Sequence, residues 1–225
     1  MDTIINVLIV EDEPLTINSI KRALKQLGIL NKSWKFTITS AINCDSAYQE
    51  IIKAKNTTLY HLAIVDISIP PSSDKKILSG EDLGIELKKA FPAIKIIVIT
   101  SLHNNFRLHN IFKSLDPEGF LIKNEIEYKH LLEALVSVLT QASYYSHTIL
   151  KLMRLHFSNN IVLDYIDRQL LYQLSVGTKS KDLAKFIDLS KSGIERRKRR
   201  LKEIFDVEND DDRLLLIRAR EQGFV

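Results

Sequence analysis

The sequence predicts an α/β domain with a doubly wound, five-stranded parallel sheet, followed by a small all-α helix-turn-helix domain. Short, nearly all-apolar runs alternate with helical patterns over residues 1–125, which is typical of a parallel sheet covered on both faces. Residues 161–225 show helical patterns and no strand pattern. A chain of 225 residues is long enough for two such domains.

Five runs have the length and composition of strands, at 4–10, 35–41, 62–65, 95–100 and 119–122. The second run alternates apolar and polar residues, as a half-buried strand does. The others are almost continuously apolar, as strands buried on both faces are. In doubly wound sheets, ligands bind beyond the carboxyl ends of the strands, so polar residues at those ends are candidate site residues.

Helical spacing separates the strand runs. A first helix is expected over 14–27 with its stop at Gly28, and a second is capped by Asp45 and Ser46. Residues 83–90 and 104–115 predict two more. The pattern over 128–157 fits either one long helix or a helix followed by a linker helix, with a break at Ser158-Asn159-Asn160. The expected domains are 1–140, a helical linker over 141–160, and 161–225.

Four short helices are predicted in the second domain, at 167–175, 180–187, 190–205 and 210–222. The second and third are joined by a tight turn at Asp188-Leu189, which is the organisation of a helix-turn-helix. The helix that follows the turn is then available for the major groove of DNA.

The net charge of +4 is unevenly distributed along the chain. Residues 1–150 carry 16 basic and 16 acidic side chains, whereas residues 151–225 carry 16 and 12. Within 179–202 the counts are 10 and 3, so the excess lies in one short segment. Such a segment favours nucleic acid or another anionic partner.

Composition excludes several other classes of protein. Hydrophobic residues make up 45% of the chain and there are only 7 Gly and 5 Pro, which excludes a low-complexity chain. A single cysteine, Cys44, excludes an internal disulfide. No signal-peptide pattern and no apolar run of membrane-spanning length are found, so we expect a cytoplasmic protein.

Charged and hydroxyl side chains follow four of the predicted strands. Glu11 and Asp12 follow the first, Asp66 ends the third, Thr100 ends the fourth and Lys123 follows the fifth. Each alone is more often a cap, a surface residue or an ordinary strand residue. Together, at one edge of a parallel sheet, they predict three converging carboxylates that need a cation such as Mg²⁺ among them.

This set predicts phosphoryl chemistry. An Asp carboxylate acts as a nucleophile in forming an aspartyl-phosphate. Catalysis then consists mostly of in-line positioning and charge neutralisation, here by the metal and by Lys123. The Thr100 hydroxyl is placed to hydrogen-bond a phosphoryl oxygen.

The segments VLIVEDEP, AIVDISIP, IIVITS and GFLIK resemble the receiver domain of two-component response regulators, whose fold is flavodoxin-like. The resemblance covers residues 4 to about 140. It implies that a sensor histidine kinase phosphorylates Asp66. It further implies Glu11, Asp12, Asp66 and the Ser68 backbone carbonyl as Mg²⁺ ligands, Thr100 and Lys123 as phosphoryl-sensing residues, and Phe120 as the switch aromatic.

One departure from that pattern lies beside the acceptor. Receiver domains usually place a Gly about four residues after the proline that corresponds to Pro70, whereas here about ten further residues precede Gly84. We interpret the insertion as a surface loop that borders the site and affects access or kinase choice. Deletion of residues 71–79 is therefore expected to spare folding.

The stretch SKSGIERRKRRLKEIF, at 190–205, contains five consecutive basic residues, 196–200. Ser190 is a natural N-cap, and Ile194, Leu201 and Phe205 share one helix face. Adjacent cations repel, which favours an anionic partner. The alternative is a solvated helix face with no partner.

The segments IDRQLLYQLSVGTKSKDLAKFI, LSKSGIERRKRRLKEIF and LLLIRAREQGFV resemble the DNA-binding domain of NarL/LuxR-type regulators. The resemblance implies that Glu195, Arg196 and Arg199 lie nearest the base edges. It leaves phosphate contacts or supporting roles for Lys179, Lys181, Lys191, Arg197, Arg200 and Lys202.

The expected function is thus a phosphorylation-controlled transcription regulator with a sensor histidine kinase and double-stranded DNA as partners. A homodimer would form through 126–139 or through the last helix. One alternative is an aspartate-based phosphohydrolase, although Ser68 replaces the second Asp that such enzymes place two positions after the nucleophile. Another is a DNA-binding regulator without phosphate control. We expect no turnover enzyme.

Overall fold

A computed structural model describes residues 2–55, 57–155, 163–207, 212–221 and 224 of the chain. They divide into two compact units. The first consists of Met1–His103 and Leu115–Phe157, and the second of Asn104–Ser114 and Ser158–Val225. The second unit thus takes in a short segment from within the predicted first domain, 1–140. No helix among the described residues has the length and apolar character that crossing a membrane requires.

The first unit contains a parallel sheet of six strands in the order β2-β1-β3-β4-β5-β6. The strands are β1 (Thr3–Val10), β2 (Trp34–Ala41), β3 (Leu62–Asp66), β4 (Lys95–Thr100), β5 (Gly119–Ile122) and β6 (Tyr144–Tyr145). The five predicted strands are confirmed. The sixth was missed because two residues form no recognisable apolar run.

Six helices have bounds within residues 14–155: α1 (Pro14–Leu30), α2 (Cys44–Ala54), α3 (Gly80–Ala90), α4 (Asn105–Leu115), α5 (Tyr128–Leu139) and α6 (His147–Leu155). Helix α1 passes through Gly28, where we expected its end. The cap of α2 is Asn43, whose side chain accepts from the Ser46 amide at 2.9 Å, in place of the expected Asp45-Ser46 cap. Apolar residues of β1, α1 and α5 are among those that form the core of the first unit.

The region 128–157 is not one continuous helix. Helix α5 ends at Leu139, Gln141 adopts a left-handed conformation with φ of 68°, and the chain then enters β6 before α6 begins. The amide of Tyr144 donates to the Glu118 carbonyl at 3.0 Å, which fixes the added strand against β5. The predicted break at 158–160 lies outside the described residues.

The insertion at 71–79 is packed, contrary to our expectation of a loose surface loop. Ser72 and Ile77 are buried, and each donates its amide to the other, at 2.8 Å to the Ile77 carbonyl and at 3.0 Å to the Ser72 hydroxyl. Ser73 donates its amide and its hydroxyl to Asp45. Ser79 caps α3 by accepting from the Glu81 amide. Deletion of the loop would therefore remove buried groups and a helix cap.

The helices of the second unit are α7 (Tyr165–Ser175), α8 (Lys191–Ile204) and α9 (Asp212–Glu221), with a 3₁₀ helix over Ser180–Lys185. The first helix of the predicted helix-turn-helix is therefore a 3₁₀ helix. Leu170, Leu183 and Leu201 are among the residues of the apolar core that joins these elements.

The segment Asn104–Ser114 is tied to the rest of the second unit by three contacts. The Asn104 amide group donates to the Glu221 carbonyl at 3.1 Å, and the Leu163 amide donates to Asn110 Oδ1 at 3.1 Å. The Arg107 guanidinium lies 4.9 Å from the centre of the Phe224 ring. These contacts involve both ends of the C-terminal helical region.

Candidate functional site

The candidate site lies at the carboxyl edge of the sheet in the first unit. Glu11 directly follows β1, Asp66 is the last residue of β3, Thr100 is the last of β4, and Lys123 directly follows β5. All these strands are parallel, so their ends meet at one edge. The sheet topology therefore assembles the residues that the sequence predicted.

The three predicted carboxylates converge. Glu11, Asp12 and Asp66 each offer an oxygen atom, and these atoms all lie within 4.8 Å of one another. Glu11 and Asp66 are buried, whereas Asp12 is exposed. A set of carboxylate oxygens suits Mg²⁺, which binds through a few carboxylates and keeps several waters. The donor set therefore fits this metal. The Ser68 carbonyl ligand stays a prediction; the Ser68 amide donates to Asp66 Oδ1 at 2.9 Å.

Lys123 bridges two of these acids. Its Nζ lies 2.9 Å from Asp66 Oδ2 and 2.9 Å from Glu11 Oε2. Burial lowers the pKa of Lys123, but hydrogen bonds to Asp66 and Glu11 raise it more, so the pKa lies above its ordinary value. Burial raises the pKa of Glu11, and the charge of Asp66 raises it further, although Lys123 opposes both effects. Lys123 is therefore held as a cation beside Asp66.

Thr100 and Phe120 are both inaccessible to solvent. The Thr100 hydroxyl oxygen accepts from the Leu102 amide at 3.2 Å, so the loop after β4 is hydrogen-bonded to the side chain expected to sense a phosphoryl group. Phe120 lies within β5 and is fully buried. A fully buried aromatic at this position cannot contact a partner without moving.

Two residues of the site were missed by sequence analysis. Glu13 Oε2 lies 3.7 Å from Lys123 Nζ and accepts from the Thr16 hydroxyl at 2.7 Å. The third acid of the run Glu11-Asp12-Glu13 is the signal that could have indicated it.

Gly80, the first residue of α3, is the other. A Cβ atom added to it would lie 1.9 Å from the Asp66 carbonyl oxygen, so only glycine allows this approach. Its position at the end of the loop insertion gave no signal of this contact.

The basic helix predicted at 190–205 is α8. Ser190 caps it as predicted, since its hydroxyl accepts from the Gly193 amide at 3.2 Å. The predicted apolar face is also confirmed, because Ile194, Leu201 and Phe205 are buried. Several of the predicted DNA-contacting residues are exposed. They lie in α8 or at the start of the 3₁₀ helix that precedes it: Lys179, Lys181, Lys191, Glu195, Arg196, Arg199 and Arg200.

Some cations of α8, the exposed Arg200 among them, are paired with acids from neighbouring helices. Lys202 is buried and its Nζ lies 2.7 Å from Asp212 Oδ1. Arg197 pairs with Asp164 and Asp167, and Arg200 lies 3.2 Å from Asp167. Lys202 in particular, which we proposed as a phosphate contact, is not on the exposed surface. Sequence position alone did not reveal these partners.

The two acids at the start of α7 have opposite pKa shifts. Burial raises the pKa of Asp167, and the charge of Asp164 raises it further. Burial also raises the pKa of Asp164, but hydrogen bonds from the Asp167 amide and from Arg197 lower it more, so it lies below its ordinary value. Asp164 is therefore the more firmly ionised partner of Arg197.

The parallel sheet with its acidic edge, followed by a helical C-terminal region, is the arrangement that the resemblance to response regulators of the NarL/LuxR type predicted. No protein-family model matches the chain. The chain is similar to the transcriptional regulatory protein RcsB of Escherichia coli K12, with 29% identity over 118 residues, or 52% of this chain and 49% of that protein. RcsB of Salmonella typhi is 28% identical over 118 residues. The chain thus spans about half the length of the curated relatives it matches.

Two solved structures have the same fold. RcsB from Salmonella enterica serovar Typhimurium, bound to the rprA promoter in the presence of the phosphomimetic BeF₃⁻, aligns with a TM-score of 0.64 and 22% identity. The alignment covers 96% of this chain and 98% of that one. A two-component response regulator of the LuxR family from Aurantimonas aligns with a TM-score of 0.54 and 14% identity, over 70% of this chain and 100% of that one.

Proposed function

We propose that the protein is a response regulator that accepts a phosphoryl group on Asp66 from a sensor histidine kinase and binds double-stranded DNA through α8. The observation that carries the first half is the convergence of Glu11, Asp12 and Asp66 with Lys123 at one edge of the sheet. Such a cluster has little use in stabilising the fold, because like charges at this distance repel. It suits a divalent cation, which can in turn bind a negatively charged phosphoryl group.

In this proposal the Asp66 carboxylate attacks the phosphorus atom and the donor leaves with its electron pair. Glu11, Asp12 and Asp66 would hold Mg²⁺, which when bound supplies positive charge to the phosphoryl oxygens. Lys123 neutralises further charge, and Thr100 donates its hydroxyl hydrogen to a phosphoryl oxygen. The Thr100 hydroxyl oxygen can still accept from the Leu102 amide of the loop after β4, because a hydroxyl donates and accepts at the same time.

The second half of the proposal rests on α8. Its exposed surface carries Arg196 and Arg199. Arginine is the residue type that most often makes specific bidentate contacts with guanine in the major groove. The helix follows a 3₁₀ helix and a turn, and its N-terminal end is capped by Ser190. The RcsB neighbour is bound to promoter DNA. A homodimer, which would place two such helices on two half-sites, is part of the proposal.

An aspartate-based phosphohydrolase is the competing function. It would use the same nucleophile but needs a general acid for each turnover, and Ser68 stands two positions after Asp66. Ser68 is engaged through its amide to Asp66. The competing function therefore predicts phosphate release without a lasting adduct, whereas the receiver function predicts a phosphorylated protein.

Incubation with acetyl phosphate and Mg²⁺, followed by intact-mass measurement, tests the first half. We expect one phosphoryl adduct on the wild type and none on Asp66→Asn, because the amide is nearly isosteric but a poor nucleophile. Asp74→Asn is the matched control, since Asp74 is an exposed acid of the same unit, and it should be labelled as the wild type is. Labelling of Asp66→Asn at the wild-type level would place the acceptor elsewhere.

Removal of the metal tests the ligand assignment. With EDTA in place of Mg²⁺, adduct formation should stop, and Asp12→Ala should require a higher Mg²⁺ concentration than the wild type. An unchanged Mg²⁺ dependence in Asp12→Ala would contradict the metal site.

Selection of bound duplexes from a random pool, with and without acetyl phosphate, tests the second half. An enriched sequence whose recovery increases on phosphorylation would support the regulator. Recovery that is independent of phosphorylation in both the wild type and Asp66→Asn would favour a DNA-binding regulator without phosphate control. Recovery of no duplex would refute DNA binding.

A further inference from the structure

The cations of α8 are divided into two groups by acids from α7 and α9. Six basic residues lie between Arg196 and Lys202, and four of them are within salt-bridge distance of Asp164, Asp167 or Asp212. This division bears on how the helix would meet DNA, and so it rests on the DNA-binding half of the proposed function.

Asp212, the first residue of α9, holds two lysines. Lys198 Nζ lies 2.6 Å from its Oδ2, and Lys202 Nζ lies 2.7 Å from its Oδ1. The side chains of Lys198 and Lys202 are only 8% and 6% exposed. The lysines are one helical turn apart, so both reach the same carboxylate. One carboxylate therefore contacts two buried cations and joins α8 to α9, and Glu195 Oε2 lies 3.5 Å from Lys198 Nζ as a second acid.

The start of α7 provides a second attachment. The Asp167 carboxylate is inaccessible to solvent and lies 2.9 Å from Arg197 and 3.2 Å from Arg200. Arg197 also pairs with Asp164, the N-cap of α7. Arg197 is 24% and Arg200 48% exposed, so this attachment is more open than the one at Asp212.

Three basic residues of α8 lie outside both attachments. Lys191, Arg196 and Arg199 are exposed, and within the described part of the chain no carboxylate lies within salt-bridge distance of them. Arg196 and Arg199 are three residues apart and therefore share one side of the helix. Their charges are fully available to an anionic partner.

We propose that Asp212 is a positioning residue that withholds Lys198 and Lys202 from the DNA-facing surface, so that Arg196 and Arg199, with Lys191, carry the contacts. A carboxylate that is already paired with an ammonium group leaves that group little charge to offer a phosphate. Breaking a buried ion pair also leaves the remaining charge buried without a partner, which is energetically costly. Binding would therefore depend on fewer cations than the basic run contains.

The salt dependence of binding counts the cations that contact phosphates. The slope of log affinity against log salt concentration changes by roughly one unit for each such contact. We expect Arg199→Gln or Arg196→Gln to weaken binding to a 20-base-pair duplex, with a reduced slope if the side chain contacts a phosphate. Lys202→Gln should leave the slope unchanged. A Lys202→Gln slope reduced by a full unit would overturn the proposal.

Asp212→Asn provides the opposite change. The variant removes the negative charge that Lys198 and Lys202 share, although Lys198 keeps its contact with Glu195. Loss of this charge should let the lysines turn outward, tighten binding to random-sequence duplex and steepen the slope by about one to two units. Glu203→Gln is the matched control, because it removes one negative charge from the exposed surface of α8 without releasing a cation. If the two variants change the affinity and the slope equally, the change of net charge alone explains the effect and the proposal is refuted.

Lysine acetylation with acetic anhydride, read by mass spectrometry, tests the positioning without DNA. In the full-length wild type, Lys191 should react while Lys198 and Lys202 resist. In Asp212→Asn all three should react, provided that circular dichroism shows the variant folded; if it does not fold, the Lys202→Gln and Arg199→Gln slopes decide. Rapid acetylation of Lys198 and Lys202 in the wild type would overturn the proposal. Protection of both lysines in a wild type that binds no duplex would support the positioning and refute the proposed DNA binding.

Discussion

The charged cluster around Asp66 and helix α8 are both rich in charge, but different parts of the molecule fix their geometry. Around Asp66 the charged side chains stand at the ends of strands, so the order of strands in one sheet brings Glu11, Asp66 and Lys123 together. Along α8 the cations are adjacent in sequence, and Asp167 and Asp212 on other helices decide which of them stay exposed. The order of the strands follows from a pattern of apolar runs in the sequence, whereas no such pattern shows which acids on other helices pair with the cations of α8.

We expect the cluster around Asp66 to depend most on backbone packing. Gly80→Ala should lower the free energy of unfolding by roughly 3 kcal/mol or more, because the added Cβ meets the Asp66 carbonyl and no side chain can move to relieve the contact. Gly28→Ala is the control, since a Cβ there lies 3.4 Å from the Trp34 carbonyl and the helix gains up to about 1 kcal/mol. Urea denaturation measures both, and equal stability would contradict the close approach at Gly80.

The packed insertion should matter nearly as much. Ile77→Ala should cost about 2–3 kcal/mol, since Ile77 is buried in a loop that the sequence suggested was dispensable. Lys75→Gly is the control, because Lys75 is exposed and has a left-handed φ of 58° that glycine adopts without strain. We expect it to preserve or raise stability. Thermal or urea unfolding that finds Ile77→Ala unaffected would restore the interpretation as a loose surface loop.

The attachment of α8 to α7 should contribute somewhat less. Asp167→Asn should lower the free energy of unfolding by about 2 kcal/mol, less than a fully buried pair loses, because Arg197 and Arg200 are partly hydrated. Glu203→Gln, on the exposed side of α8, should change it by less than about 0.5 kcal/mol. If denaturation gives the same small effect for both, the acids of α7 do not hold the helix and the contrast between the two regions weakens.

The smallest effect is expected at Cys44. Burial, together with the charges of Asp82 and Asp45, raises the pKa of its thiol to about 12. At pH 8 roughly one thiol in ten thousand is then ionised. Iodoacetamide should leave the native protein unlabelled and label it promptly in concentrated urea at the same pH. Equal labelling rates in the two conditions would show that the start of α2 is open.

Most of the first unit could be predicted from sequence. The five strand runs, their parallel arrangement and the convergence of Asp66 with Lys123 all follow from apolar periodicity and from one rule about strand ends. The two-residue strand β6 could not be predicted, since it is held by backbone hydrogen bonds that side chains do not encode. Neither could the packing of Gly80 against Asp66, which depends on the path of the inserted loop.

The second unit was predicted less completely. The cap at Ser190 and the apolar face of α8 follow from local pattern. The burial of Lys202 does not, because a lysine is normally exposed and its partner, Asp212, is ten residues away in the sequence. The adjacent cations suggested repulsion, and acids on two other helices relieve it.

The second unit is discontinuous along the chain, because Asn104–Ser114 belongs to it together with Ser158–Val225. Proteins are synthesised from the N terminus at roughly 5–20 residues per second, so the ribosome adds Glu221 about 5–20 s after Ser114. During that interval the Glu221 carbonyl and the Phe224 ring, which Asn104 and Arg107 contact in the finished protein, do not yet exist. The rate of translation therefore sets the time between synthesis of Asn104–Ser114 and synthesis of the residues that it contacts. A fragment that begins at residue 158 lacks this segment altogether.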